Sequence, residues 1–295
     1  MTTRVKVSPR NFIIVGILNH LGHILRLLVG RCVAQALREY EAFAQASKLR
    51  NEGRLSEVEI KAIREYEEAR LEDAQYRRKL LSARITDETL RRPEAASSYQ
   101  QAALLCLPLL ADKALGIRSM ANVGTRIDIV SSYLAQKFPD VQFISIDLPS
   151  NLREVNCELP QSPNWSFVSG YALDLFERQE VTADLVLFSY TCEVIRNREL
   201  HQYFAALAKF AKYVVLNEQW WPTHKPASLV GIIRPEDIDP DDSVIAGKPG
   251  AYHHNYPAIL KRSGFEVLSS EIVEVHGREF WALHVVARNK TLQMF

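Results

Sequence analysis

Two features of the sequence could do chemistry together. Gly124 follows the β-rich run that starts at Met120 and opens a segment with helical spacing, and Asp147 closes a second β-rich run some 20 positions later. At such a turn, backbone N–H groups and the helix dipole favour an anionic or polar ligand. An acid ending the next strand can accept both hydroxyls of a ribose. A pyrophosphate would require G-x-G-x-x-G for close backbone approach, and Gly124-Thr125-Arg126-Ile127-Asp128 has one glycine of those three. A dinucleotide is therefore disfavoured.

S-adenosylmethionine carries no phosphate, and it needs a turn beside its methionine part and an acid for its ribose. This segment has both. Further candidates lie downstream. The neighbours His253 and His254 could accept a proton from a substrate hydroxyl, since imidazole titrates near neutrality, and they could equally cap a helix. Glu218, with Glu193 and His224, lies after β-rich runs, where open α/β sheets place their ligands. Trp220 and Trp221 could stack on a flat substrate or fill core. The acids Glu236, Asp237, Asp239, Asp241 and Asp242 fall in a proline-rich loop without a defined ligand spacing and are read as solvated, in a lid over the pocket. No metal is expected.

These residues need a scaffold. From Met120 onward, β-rich runs alternate with helical segments: MANVG, VQFISI, WSFVSG, ADLVLFS, KYVVLN, FEVLSSEIVEV and EFWALHVVA. Seven such runs in this rhythm predict an α/β, doubly wound, mostly parallel sheet. Residues 1–96 predict helices, because no proline occurs between Pro9 and Pro93 and the stretch after Arg31 is rich in Ala, Glu, Arg and Leu. Within it Asn51-Glu52-Gly53 predicts a break, Ser56 with Glu59 a capping box, and Glu57–Lys61 and Asp73–Arg77 surface pairs. Ser97 to Leu115 predicts a helix kinked or divided at Pro108.

Composition narrows the partners. Among 295 residues, 36 Lys and Arg face 35 Asp and Glu, a net charge of +1 that gives no grip on a phosphate backbone. Nucleic acid is thus not expected. The four cysteines, Cys32, Cys106, Cys157 and Cys192, lie far apart and fit a reducing, cytoplasmic setting. Residues 12–29 form an apolar stretch interrupted by Asn19, His20, His23 and Arg26, read as an amphipathic helix packed on its own domain or across a dimer, in preference to a membrane surface. A homo-oligomer is expected.

From about Ser97 onward the chain resembles the class I S-adenosylmethionine-dependent methyltransferases. The resemblance rests on the order of several blocks: Asn122-Val123-Gly124-Thr125, Asp147 with Leu148, Gly170-Tyr171-Ala172, the run from Asp184 through Ser189 and Tyr190 to Thr191, Leu216-Asn217-Glu218, and Tyr252 to Phe265. Asn122 stands where an acid is common, and Arg126 where a glycine often stands. More loosely, YHHNYPAILKRSGF is similar to a stretch of sugar O-methyltransferases. The resemblance implies a Rossmann-like domain over 97–295, with residues 1–96 an oligomerisation element or substrate lid. It also implies cofactor contacts from Asn122, Gly124, Thr125, Asp147, Leu148, Tyr171, Ala172, Ser189 and Tyr190, with His253, His254 and Glu218 serving catalysis on a hydroxyl of a small molecule or sugar. The alternatives are a catalytically degenerate cofactor-binding or assembly module and, behind it, an NAD-dependent oxidoreductase.

Overall fold

The structure is a computed structural model that describes residues 54–92, 96–220, 233–245, 252–275 and 281–293, all within one compact unit spanning Arg50–Phe295. The expected break at Asn51 to Gly53, the helix at 12–29, Cys32, Trp221 and His224 lie outside the described residues.

All seven β-rich runs become strands of one sheet: β1 (Ser119–Val123), β2 (Gln142–Asp147), β3 (Trp165–Ser169), β4 (Leu185–Ser189), β5 (Tyr213–Trp220), β8 (Phe265–Glu274) and β9 (Trp281–Asn289). Their order is β3-β2-β1-β4-β5-β9-β8, with the first five parallel and β9 and β8 antiparallel. Four of the five β4 residues are fully apolar and buried, because strands covered by helices on both faces have no solvent side to alternate with. The edge strand β8 instead leaves four consecutive residues, Leu268 to Glu271, exposed.

The helices are α1 (Glu57–Glu72), α2 (Ala74–Leu81), α3 (Asp87–Leu90), α4 (Ser98–Ala111), α5 (Ile129–Lys137), α6 (Leu152–Val155), α7 (Ala172–Glu177), α8 (Asn197–Leu207) and α9 (Tyr256–Arg262). One core, on the α7, α8 and α9 face, is built on Val186, Phe188, Leu216, Phe176 and Phe204. The other, on the α4 and α5 face, is built on Leu185, Leu187, Phe143, Leu134 and Cys106, and Leu71 of α1 joins it.

Several local expectations meet the coordinates directly. Ser56 and Glu59 form the capping box: the Glu59 N–H donates to Ser56 Oγ at 3.3 Å, and the Ser56 N–H donates to Glu59 Oε2 at 2.8 Å. The helical pairs differ. Lys61 lies 3.9 Å from Glu65 in place of Glu57. Asp73 caps α2, accepting the Gln75 N–H at 2.8 Å, so Arg77 is left to pair with Glu158. α4 runs on through Pro108 to Ala111, and a 3₁₀ turn, Lys113–Leu115, follows. His253 belongs to β7 (Tyr252–His253), which pairs with β6 (Val244–Ile245); the cap of α9 is Asn255, whose Oδ1 accepts the Ala258 N–H at 3.1 Å.

Candidate functional site

Sheet order places the site. β1 has β2 on one side and β4 on the other, so the connections leaving β1 and β4 run to opposite faces and open a crevice at their carboxyl ends. Ser189 ends β4 and Val123 ends β1. There a cavity with about 500 Å³ of empty space, part of it open to solvent, is walled by Asn122, Gly124, Thr125, Asp128, Ser189 and Tyr190, with Tyr99 reaching in from α4. Five residues expected to contact a cofactor thus share one wall. Two buried polar atoms of this wall, Asn122 Oδ1 and Thr125 Oγ1, have no partner among the described residues. Buried polar atoms are nearly always hydrogen-bonded, so both are open to a ligand.

The turn itself is strained in a purposeful way. Gly124 has φ 72°, and a Cβ there would lie 2.3 Å from Thr191 Oγ1. Thr191 is anchored by donating to the Val123 carbonyl at 2.8 Å. Arg126 has φ 48°, the left-handed conformation that glycine adopts freely, so the departure from glycine keeps the glycine backbone at a cost of roughly 1–2 kcal/mol. Compensation comes from the side chain. Its guanidinium donates to Glu67 Oε1 at 2.7 Å and to the Tyr76 hydroxyl at 2.9 Å.

Asp147 accepts the Arg126 N–H at 2.7 Å through Oδ2 and the Leu148 N–H at 2.7 Å through Oδ1. Burial raises its pKa, and the Arg126 N–H and guanidinium pull against that. Each carboxylate oxygen keeps a lone pair for a further donor. Asp147 and Leu148 do not line the cavity, yet one hydrogen bond joins Asp147 to its turn. Tyr171 and Ala172 stand at the start of α7, next to Gly170, whose N–H donates to the Asp147 carbonyl at 2.9 Å; Tyr171 packs edge-on to Tyr203 at 6.2 Å. They too lie beside the cavity and not in its wall.

His253, His254 and Glu218 are fully buried and belong to a different cluster, on the α8 and α9 face. His253 stacks on Trp220 at 4.0 Å, which makes Trp220 core. Burial pushes His253 down to about 4 and His254 to about 3, so both rings are neutral at pH 7. Glu218 Oε2 accepts the Glu193 N–H at 3.3 Å, and burial pushes its carboxyl up to about 7. Glu193 lies in the 3₁₀ turn Cys192–Val194, three residues beyond Tyr190 in the cavity wall. Of the loop acids, Asp241 pairs with Arg262 at 2.6 Å. Among the described residues no group of three or more His, Cys, Asp or Glu could hold a metal ion, and no helix is long and apolar enough to cross a membrane.

Over this edge lies α1. Arg54, just before it, donates to Glu177 at 3.0 Å; Glu59 accepts from Arg196 at 2.5 Å; Glu67 holds Arg126; and Glu68 accepts the Ser150 N–H at 2.9 Å. These four partners follow β3, β4, β1 and β2 respectively, so α1 and Arg54 just before it are tied to the segments that follow four neighbouring strands. Sequence reasoning missed Glu67, Tyr76 and Tyr99, which no local pattern marks. It also missed Asp128, which a helix-start signal four residues after Gly124 could have shown.

No protein-family model matches the chain, and no curated protein matches it in sequence. Solved structures do. Magnesium protoporphyrin IX methyltransferase from Synechocystis PCC 6803, determined with SAM bound, is similar over 81% of this chain and 99% of its own, with a TM-score of 0.53 and 14% identity. An O-methyltransferase family protein from Burkholderia thailandensis aligns over 65% of this chain and 58% of its own, with a TM-score of 0.42 and 12% identity. The chain has the Rossmann-like, seven-stranded fold of the methyltransferases.

Proposed function

We propose that the protein is an S-adenosylmethionine-dependent methyltransferase acting on a hydroxyl of a small molecule or sugar. The observation that carries this reading is the crevice at the ends of β1 and β4, walled by a one-glycine turn with unpartnered Asn122 Oδ1 and Thr125 Oγ1 and flanked by Asp147. The absent pyrophosphate glycines make the NAD reading weaker.

Asp147 would accept the ribose hydroxyls, and Asn122 and Thr125 would meet the amino-acid tail. Tyr171 and Ala172 would border the adenine. The cofactor supplies an electrophilic sulfonium methyl, so the protein's task is to align an acceptor oxygen and take its proton. None of the three candidates lines the cavity, so the role goes to Glu218 on its proton affinity, matched to neutral pH, and on its bond to the Glu193 N–H, three residues past the wall residue Tyr190; its Oε1 has no partner among the described residues. His253 and His254 hold protons too weakly. α1 serves as a roof over the crevice, excluding water from the reacting groups.

Calorimetry with S-adenosylmethionine and with NAD tests the reading. Micromolar binding of the first and none of the second is expected; the reverse overturns it. Methyl release to a panel of sugar and phenolic hydroxyls then separates an enzyme from a binding-only module.

A further inference from the structure

The wall of the cavity contains a hydrogen-bond chain whose direction is fixed. An indole N–H can only donate, and Trp165 Nε1 donates to Ser145 Oγ at 2.7 Å. Ser145 Oγ in turn donates to Asp128 Oδ2, at 2.5 Å. Asp128 Oδ1 accepts the Ser131 N–H at 2.8 Å. Asp128 is thus an acceptor at both oxygens, and the group facing it from Asn122, at 2.8 Å, must be the amide NH₂. The opposite end of that amide is Oδ1, on a side chain only 2% exposed that lines the cavity and has no partner for this atom.

The geometry points to Asp128 as a positioning residue: by holding the N–H end of Asn122 it leaves the carbonyl oxygen at the cavity wall, as an acceptor for the ammonium of the cofactor's amino-acid tail. Asp128 also explains why an amide suits position 122: its N–H end supplies the donor that Asp128 Oδ1 accepts beside the Ser131 N–H, which a second carboxylate could supply only by keeping a proton. This inference rests on the cofactor reading above.

The test is calorimetry of the full chain with S-adenosylhomocysteine and with 5′-methylthioadenosine, which lacks the amino-acid tail. It uses the wild type, Asp128→Ala and Asn122→Leu. Loss of one charge-assisted contact predicts that each variant binds S-adenosylhomocysteine about tenfold more weakly, with 5′-methylthioadenosine unaffected throughout. Wild-type affinity in Asp128→Ala, or an equal loss for both compounds, overturns the assignment alone. If Asp128→Ala does not fold, Asn122→Leu decides by the same criterion. A wild type that binds neither compound overturns the cofactor reading as well.

Discussion

The guanidinium of Arg126 is paired with the carboxylate of Glu67, 59 residues earlier in the chain, so the turn that walls the cavity is tied to α1. Glu67 is buried and Arg126 only partly so, which places this pair between a surface ion pair and a core one. Glu67→Ala should cost about 1–2 kcal/mol in urea unfolding and, with α1 as the proposed roof, should speed cofactor association by freeing one of its ties. An unchanged association rate in stopped-flow fluorescence would show that α1 does not limit entry.

Gly124 is required twice, by its positive φ and by the approach of Thr191. Gly124→Ala adds left-handed strain and an overpacked Cβ, together on the order of 2–4 kcal/mol. Gly124→Ala combined with Thr191→Ser keeps the strain but removes a contacting methyl, so part of the loss should return. Thermal unfolding of the two variants measures that difference.

Asp147→Ala removes the acceptor assigned to the ribose. S-adenosylhomocysteine should bind about 10- to 100-fold more weakly by calorimetry, as expected for hydrogen bonds to a charged group. Equal affinity would remove Asp147 from the site.

Glu218 gives a pH prediction with a definite sign. Its carboxyl is raised to about 7 in the folded chain, from a reference of 4.5. Below pH 4.5 it is protonated in both states. Between 4.5 and 7 the unfolded chain releases a proton that the folded chain keeps, so wild-type stability falls as pH rises through that window. Glu218→Gln does not titrate. Its stability relative to the wild type should therefore improve from pH 4.5 to 7.5, by on the order of 3 kcal/mol in urea titrations. Turnover by the wild type should rise over the same range, because the proton acceptor must be ionised.

Much of the scaffold was legible in the sequence. The alternation of β-rich and helical runs announced a seven-stranded sheet, and the Ser56–Glu59 box marked the start of α1, because these signals depend on neighbours a few residues apart. Gly124 and Asp147 were legible for the same reason, since a strand-turn-helix-strand unit fixes their spacing. The pairing of Arg77 with Glu158 instead of Asp73 was not, because Asp73 found a better use capping α2. Nor was the separation of His253 and His254 from the cavity, since their burial depends on Trp220 and on a two-stranded pairing with β6.

The sequence by itself determined the seven strands of the main sheet and the place of the crevice, because hydrophobic period and turn chemistry act locally. Tertiary structure alone decided which loops α1 is tied to, which way the Asn122 amide faces and how strongly Glu218 holds its proton. Each of those depends on burial and on partners brought together from 6 to 59 residues apart, as Asn122–Asp128 and Glu67–Arg126 show. Long-range desolvation and hydrogen-bond direction have no periodic signature, so they exist only once the chain has closed on itself.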